Sequence, residues 1–181
     1  MTEFDPGLRE GQVITNDDLQ GIFKCSGQGG MRRSRRTNSL VLVSKGSAGT
    51  YYDRWEGQVF HYTGMGLLGD QDLSYAQNRT LAESDTNGVA VFLFENPSPD
   101  QYVFVGPARL GGSPYSERQP DVDDNDRLVW VFPLKVGQRA ARPQLELSAT
   151  AGLPVATSRR TSRWRRIVSW LRGLLKTQRR G

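Results

Sequence analysis

The sequence predicts an α+β domain built on a compact, strongly curved β-sheet or barrel with two short helices. Five to seven short apolar runs have the composition of strands, and two short segments carry helix signals. Strands do not alternate with long helices, as they do in parallel doubly wound sheets. At 181 residues, the chain has room for one ordinary domain and a tail.

The first elements are an extended segment at residues 11–14 and a short helix that ends near Phe23. Thr15 or Asn16 is a suitable N-cap, because its side-chain oxygen can accept from a free backbone N–H of the first turn. Asp17 and Asp18 then fall in the first turn, where the helix dipole favours negative charge.

An arginine-rich run follows, and we expect it to be an exposed loop because four arginines in five positions do not suit a core. One interpretation is a solvated charged loop, and the other is a clamp for phosphate groups, whose geometry the guanidinium fork matches. The buried-type strand predicted at residues 39–43 favours the clamp, because it aims the loop beyond the sheet edge. The four residues are Arg32, Arg33, Arg35 and Arg36.

The most chemically specific segment is residues 51–78. A strand at residues 58–62 leads into a Thr-Gly-Met-Gly turn at residues 63–66, whose glycines suit unusual backbone angles or close approach to a ligand. Aromatic rings, one carboxylate and one hydroxyl beside these glycines are suited to holding a flat ring with polar edges. A nucleobase is such a ring.

The remaining elements of the body are one helix and three strands. We predict the helix at residues 73–83, with Leu73, Ala76 and Leu81 facing inward and Asn78 and Arg79 on or near its exposed side. The three strands are expected at residues 89–94, 102–106 and 127–134. A turn at residues 96–100 joins the first two, and an acidic loop at residues 117–126 precedes the last.

Charge is distributed unevenly along the chain. Residues 159–181 hold nine of the 24 Lys and Arg and none of the 19 Asp and Glu, so residues 1–158 are mildly acidic. We predict a body at residues 1–136, a linker at 137–158 and a basic amphipathic helix at 159–181. This helix has three possible roles. It can dock on the body, lie on an anionic membrane through residues 162–178, or bind nucleic acid.

The sequence offers no signature of catalysis, a metal or a cofactor. The only histidine, His61, alternates with Tyr62 and so faces away from any pocket that Tyr62 lines. One cysteine excludes an intrachain disulfide, and one His with one Cys does not make a zinc site. The polar N-terminal segment is unlike a secretion signal, so we expect a cytoplasmic protein with no small-molecule substrate.

With these residues laid out, residues 11–134 resemble the SRA (SET- and RING-associated) domain, a PUA-like β-barrel that reads modified cytosine in DNA. The closest resemblance is to the version found in McrA-type HNH restriction endonucleases that attack modified DNA. It rests on four motifs: residues 29–32 before the strand at 39–42, Tyr-Thr-Gly-Met-Gly at 62–66, Asp-Gln-Asp-Leu at 70–73 and Asn-Arg-Thr-Leu-Ala at 78–82.

The resemblance implies a pocket for a flipped 5-methyl- or 5-hydroxymethylcytosine. Asp53 stands nine residues before Tyr62, the spacing of the aspartate that accepts from the cytosine amino group. Tyr62 then resembles one stacking ring, Thr63 and Gly64 lie at the base edge, and Tyr51 and Tyr52 are both candidates for the second ring. The implied contacts to the DNA backbone are Arg32, Arg33, Arg35, Arg36, Asn78 and Arg79.

The chain departs from the family in two ways. Residues 67–69 are too short for the basic finger that fills the gap left by the flipped base in eukaryotic SRA domains, so residues 112–118 or 32–36 are the alternatives. No HNH motif follows the reader, so we expect a stand-alone or truncated, non-catalytic reader that works beside a separate nuclease. A membrane or partner adaptor and an RNA-binding PUA-type module are the other functions considered.

Overall fold

The computed structural model describes residues 4–46 and 51–137, which contain nine strands and two helices. In chain order the elements are β1 (Val13–Ile14), α1 (Asn16–Phe23), β2 (Met31–Ser34), β3 (Ser39–Ser44), β4 (Arg54–Glu56), β5 (Val59–Thr63), α2 (Ala76–Ala82), β6 (Ala90–Ser98), β7 (Gln101–Leu110), β8 (Tyr115–Pro120) and β9 (Asp126–Val136).

The strands form one open, curved sheet in the order β2-β3-β6-β7-β9-β5-β4, with β1 added to β7 and β8 added to β9. All neighbouring pairs are antiparallel except β3 and β6, which run parallel. The long strand β9 pairs with β8, β5 and β7 along its length, and it therefore joins the two halves of the sheet. The predicted α+β class is confirmed.

Two apolar cores lie on opposite sides of this sheet, and β3 contributes to both. Leu40 and Leu42 pack into the core that contains Phe60 and Leu81, whereas Val41 and Val43 pack into a second core beneath α1. Side chains alternate across a strand, so a strand covered on both faces must be apolar at every position. This explains the unbroken apolar run that identified β3 in the sequence.

Helix α1 forms where its capping signals predict it. Thr15 accepts from the backbone N–H of Asp18, and the Asp18 carboxylate accepts from the N–H of Thr15, which completes a capping box. Leu19 and Phe23 are fully buried on its inner face. The helix ends at Lys24, whose φ of 54° puts the chain into the left-handed region.

The expectation that the whole arginine run is an exposed loop is wrong. Residues 31–34 form β2, and Arg32 is only 4% exposed. Its guanidinium donates to Gly29 O, Asn16 Oδ1 and Tyr102 Oη and lies 5.2 Å from the centroid of the Tyr102 ring. Asn16 and Tyr102 come from remote segments, so the local run of charge does not reveal them.

Two further elements differ from the prediction. Residues 117–120 of the expected acidic loop at residues 117–126 belong to strand β8, which pairs with the first half of β9. Helix α2 is shorter than predicted, and Ala76 at its start is exposed with a φ of 43° rather than facing inward. Leu81 is buried and Leu73 packs against the same core, as expected.

The predicted linker and basic amphipathic helix fall on residues 138–181, which lie outside the described residues. Within the described part of the chain, neither helix is long and apolar enough to span a bilayer.

Candidate functional site

The carboxylate of Asp53 is the centre of the candidate site. Asp53 directly precedes β4, and β4 pairs antiparallel with β5, which brings Asp53 beside the end of β5. Its Oδ1 accepts from the backbone N–H of Thr63 at 2.8 Å. Thr63 is buried, and its Oγ1 accepts from Gln119 Nε2 at 3.2 Å. The carboxylate is therefore fixed from the strand that carries the Tyr-Thr-Gly motif.

Burial dominates the electrostatics of Asp53. The low-dielectric surroundings raise its pKa to about 6, although hydrogen bonds from Thr63 and Ser44 act in the opposite direction. A carboxylate held in this way remains mostly ionised at neutral pH and lacks a cationic partner close enough to form an ion pair within the described residues. Such a group is a strong acceptor for a ligand N–H.

Tyr51 and Tyr62 both lie near this carboxylate. Desolvation raises the pKa of each phenol, and the negative charge of Asp53 adds to the rise in both cases. Tyr62 is buried and donates to Gly30 O at 2.8 Å, whereas Tyr51 is half-buried. Tyr52 is 55% exposed, so of the two candidates for the second ring, Tyr51 is the one that converges on Asp53.

The glycine turn is fixed by two buried side-chain amides. Asn78 Oδ1 accepts from the N–H of Met65, and Asn78 Nδ2 donates to Met65 O. Gln71 Nε2 donates to Gly64 O at 2.7 Å. A Cβ on Gly64 would stand 2.7 Å from Asn78 Oδ1 and 3.0 Å from Gln71 Oε1, so the glycine is needed for close approach of these amides. Asn78 is fully buried, and its predicted position on the exposed side of α2 is wrong.

A second glycine, Gly66, is a meeting point for three side chains. It has a φ of 135°, a conformation that favours glycine. Its carbonyl accepts from Tyr51 Oη at 3.2 Å, from Arg127 Nη1 at 2.6 Å and, at 3.4 Å, from Gln71 Nε2. The turn thus connects the tyrosine beside Asp53 to a buried arginine on β9.

A cleft of about 390 Å³ has Asp53 on its wall. Trp55 and Phe60 supply aromatic surface, and the Trp55 Nε1–H donates to Glu95 Oε1 at 2.9 Å. This volume lies within the range of natural ligand pockets, which combine apolar walls with a few polar groups. The ends of β3 and β6 complete the cleft.

His61 lies on the other face of β5, as strand alternation predicts. Its Nδ1 is 2.8 Å from Tyr115 Oη, and its Nε2 is 3.4 Å from Glu56 Oε2. Arg54 bridges the same group, because it pairs with Glu117 through two hydrogen bonds and with Glu56 through a third. These residues form an outer network that ties β4 to β8.

The residues expected to contact a DNA backbone divide by exposure. Arg32 and Asn78 are buried and their polar atoms are used within the fold. Arg33 is half-buried, and its guanidinium donates to Ser34 O, Ser39 O and Asn38 Oδ1. The remaining three residues are exposed: Arg35, Arg36 and Arg79.

The sequence interpretation missed Gln71, Gln119 and Arg127 as parts of this site. Arg127 shares strand parity with the buried Val129 and Val131, and this alternation was the available signal that its side chain faces inward. Among the described residues, no group of three or more His, Cys, Asp or Glu side chains is arranged to hold a metal ion.

The Tyr-Thr-Gly-Met-Gly turn, one of the motifs that carry the resemblance to the SRA domain, follows strand β5 of this curved mixed sheet. The chain belongs to the ScoMcrA-like SRA domain family, whose model matches residues 10–149. This confirms the resemblance drawn from the sequence. No curated protein matches the chain.

Solved structures support the same fold. The sulfur-binding and SRA domains of ScoMcrA, complexed with phosphorothioated DNA, match with a TM-score of 0.58 and 22% identity over 71% of this chain and 40% of that chain. The SRA domain of SUVH5 in complex with hemimethylated CG DNA matches with a TM-score of 0.56 and 23% identity over 76% of this chain and 94% of that chain. The modification-dependent restriction endonuclease TagI matches with a TM-score of 0.55 and 21% identity over 74% of this chain and 51% of that chain. The chain therefore spans well under half of the ScoMcrA chain.

Proposed function

We propose that this chain binds double-stranded DNA carrying a modified cytosine, and that it takes the modified base out of the duplex into a site at Tyr51, Asp53 and Tyr62, beside the cleft that Asp53 lines. The observation that carries the proposal is the Asp53 carboxylate, half-buried, fixed by the Thr63 N–H and close to two tyrosine side chains. Membership of the SRA family and the DNA complexes of ScoMcrA and SUVH5 support DNA as the partner.

The chemistry of Asp53 favours cytosine over thymine. An ionised carboxylate only accepts hydrogen bonds, so it pairs with the 4-amino group of cytosine and opposes the 4-carbonyl of thymine. Stacking on an aromatic ring contributes about 1 to 3 kcal/mol per base, which is comparable with the few kcal/mol that extrusion of a base costs. In this proposal, Asp53 supplies the hydrogen bond to the base and a tyrosine ring supplies the stacking, and together they offset the cost of extrusion.

Entry of a base involves Tyr51 more than Tyr62. Tyr62 is 2% exposed and packed in the core, so it forms a fixed floor. Tyr51 is half-buried and is bound to Gly66 through contacts of 3.2 and 3.3 Å, at the long end for hydrogen bonds. We assign Tyr51 as the ring that moves to admit the base and then stacks on it.

The reader is proposed to act without catalysis, beside a nuclease carried by a separate domain or chain. The ScoMcrA structure described as a phosphorothioation-dependent restriction endonuclease is matched over only 28% of its chain, so its cleavage activity belongs to the longer protein. In this proposal the exposed Arg35, Arg36 and Arg79 supply sequence-independent phosphate contacts.

The test is a fluorescence anisotropy panel of matched duplexes that contain cytosine, 5-methylcytosine, 5-hydroxymethylcytosine or a phosphorothioate linkage. The full chain is expected to bind at least one modified-cytosine duplex more tightly than the unmodified one. Asp53→Ala is expected to remove this preference and leave weak, salt-sensitive binding. The matched control is Asp85→Ala, which removes an exposed aspartate after α2 and should retain the preference.

Two outcomes contradict the proposal. If wild type and Asp53→Ala discriminate among the duplexes equally, the pocket is assigned wrongly. If only the phosphorothioate duplex is preferred, the chain reads the DNA backbone and not a modified base.

A further inference from the structure

Arg127 is the most deeply buried charged side chain among the described residues, at 1% exposure. It is the second residue of β9 and is paired with Gln119 of β8. Its Nη1 donates to Gly66 O at 2.6 Å and to Gly69 O at 3.4 Å. No carboxylate of the described part of the chain forms an ion pair with it. A buried arginine without a counter-charge destabilises a fold unless its donors are used.

Two of its donors are not used within the described chain. Nε and Nη2 are both closed to solvent and have no hydrogen-bond partner there. These two N–H groups lie on the same edge of the guanidinium, where they form a parallel fork that suits two adjacent acceptors. The Oε1 of the opposing Gln119 is likewise buried without a partner. Unmet buried polar groups of this kind are rare in native proteins and call for a ligand, a water or a functional role.

Arg127 lies next to the proposed base site. Arg127 and Tyr51 bind the same carbonyl, that of Gly66. The phenol of Tyr51 is close enough to both charges that Asp53 raises its pKa and Arg127 lowers it. Gln119, the strand neighbour of Arg127, donates to Thr63, whose N–H holds Asp53. Tyr51 is therefore close to both the acceptor Asp53 and the side chain of Arg127.

The polar edge of cytosine needs this combination of groups. Its 4-amino group donates, whereas N3 and O2 are neighbouring acceptors, and a flipped base is read along this edge. Asp53 supplies an acceptor but no donor in its ionised form. We propose that Arg127 is a base-reading residue, whose Nε–H and Nη2–H donate to N3 and O2 of the flipped cytosine when Tyr51 moves aside.

This inference rests on the proposed function, since it names the groups that read the rest of the same base. It assigns a direct contact to a residue on β9, outside the Tyr-Thr-Gly motif and its aspartate. It also accounts for the burial of an unpaired charge, because the ligand provides the missing acceptors. A modified cytosine and an unmodified one present the same two acceptors, so Arg127 contributes to recognition of cytosine and not of its 5-substituent.

The experiment combines a change in the DNA with a change in the protein. Matched duplexes carry 5-methylcytosine or 3-deaza-5-methylcytosine, in which a C–H replaces the N3 acceptor. The full-length wild type is compared with Arg127→Lys, which keeps the positive charge and a donor for Gly66 O but lacks the fork. The deaza base pairs weakly and leaves the duplex more readily for either protein. For each protein, the decisive quantity is therefore the affinity for the 5-methylcytosine duplex divided by the affinity for the deaza duplex, and this ratio is compared between the two proteins.

The wild type is expected to favour the duplex that retains N3 by about tenfold more than Arg127→Lys does, the effect of losing one good hydrogen bond to a charged donor. Thermal unfolding and circular dichroism establish that the variant is folded. Placing either base opposite an abasic site removes the difference in base pairing, so a ratio below one for the wild type on those duplexes overturns the inference even where Arg127→Lys does not fold.

Other outcomes separate this inference from the proposed function. If the wild type prefers 5-methylcytosine to cytosine and both proteins show the same deaza ratio, the free donors bind internal water and the inference fails alone. If Arg127→Lys weakens binding to every duplex equally, Arg127 only fixes the Gly66–Gly69 segment, and the inference fails. If the wild type shows no preference for modified cytosine, both fail together.

Discussion

Replacing Asp53 with asparagine is expected to make the protein more stable at neutral pH. The amide oxygen keeps an acceptor for the Thr63 N–H, but the buried negative charge disappears. Burial raises the pKa of Asp53 from 3.8 to about 6, which means that the folded state holds the charge less favourably than the unfolded chain does.

The pH dependence follows from this difference in pKa. Between about pH 4 and pH 6 the folded state retains a proton on Asp53 that the unfolded state has released, so the stability of the wild type falls as the pH rises. Below pH 4 the carboxyl is neutral in both states, and the cost is absent. Above pH 6 the full cost applies, about 3 kcal/mol for the complete shift and about 2 kcal/mol once partial exposure of the side chain is considered.

Urea unfolding of both proteins at pH 4.5, 6 and 7.5 measures this effect. Asp53→Asn should exceed the wild type by about 2 kcal/mol at pH 7.5 and approach it near pH 4. Asp85→Asn, at an exposed aspartate, serves as the control and should show no such trend. A variant that is less stable than the wild type at pH 7.5, or a difference that does not change with pH, would refute the assignment of Asp53 as a charge held at a cost to stability.

Three further predictions concern the turn, the arginines and the helix cap. Gly64→Ala forces a Cβ against Asn78 Oδ1 and should cost about 1 to 3 kcal/mol in urea unfolding while weakening modified-DNA preference; Thr15→Ala, which removes the α1 cap, should cost about 1 kcal/mol and leave that preference intact. Arg32→Lys should lower stability by about 2 kcal/mol without changing the salt dependence of DNA binding, because its donors serve the fold. The double variant Arg35→Gln/Arg36→Gln should leave the stability unchanged and reduce the slope of log K against log salt by about 2. An unchanged slope would show that neither arginine contacts the DNA backbone.

The strands were the most predictable part of the fold. β3 stands out as an unbroken apolar run because both of its faces are covered, and β6 stands out for the same reason. β8 was missed, since its residues Glu117, Arg118 and Gln119 look like a polar loop. It is a strand because β9 offers it a continuous ladder of backbone partners, which its own composition does not indicate.

The candidate site was only partly predictable. Asp53 and Tyr62 lie near each other because β4 and β5 are joined by a tight turn and the pairing is local, so a short spacing in the sequence is enough to bring them together. The choice between Tyr51 and Tyr52 stayed open in the sequence. The structure favours Tyr51, whose phenol reaches Gly66, fifteen residues away in the chain.

The sequence by itself determined the features that depend on neighbours along the chain: the capping box at Thr15, the alternation that turns His61 away from Tyr62, and the glycines of the turn at residues 63–66. Tertiary structure decided which polar side chains lie inside. Arg32 and Asn78 were expected at the surface, yet they are buried, as is Arg127, because partners from distant segments satisfy part or all of their hydrogen-bonding capacity. A polar group is stable in the interior only where such partners converge, and convergence is a property of the fold.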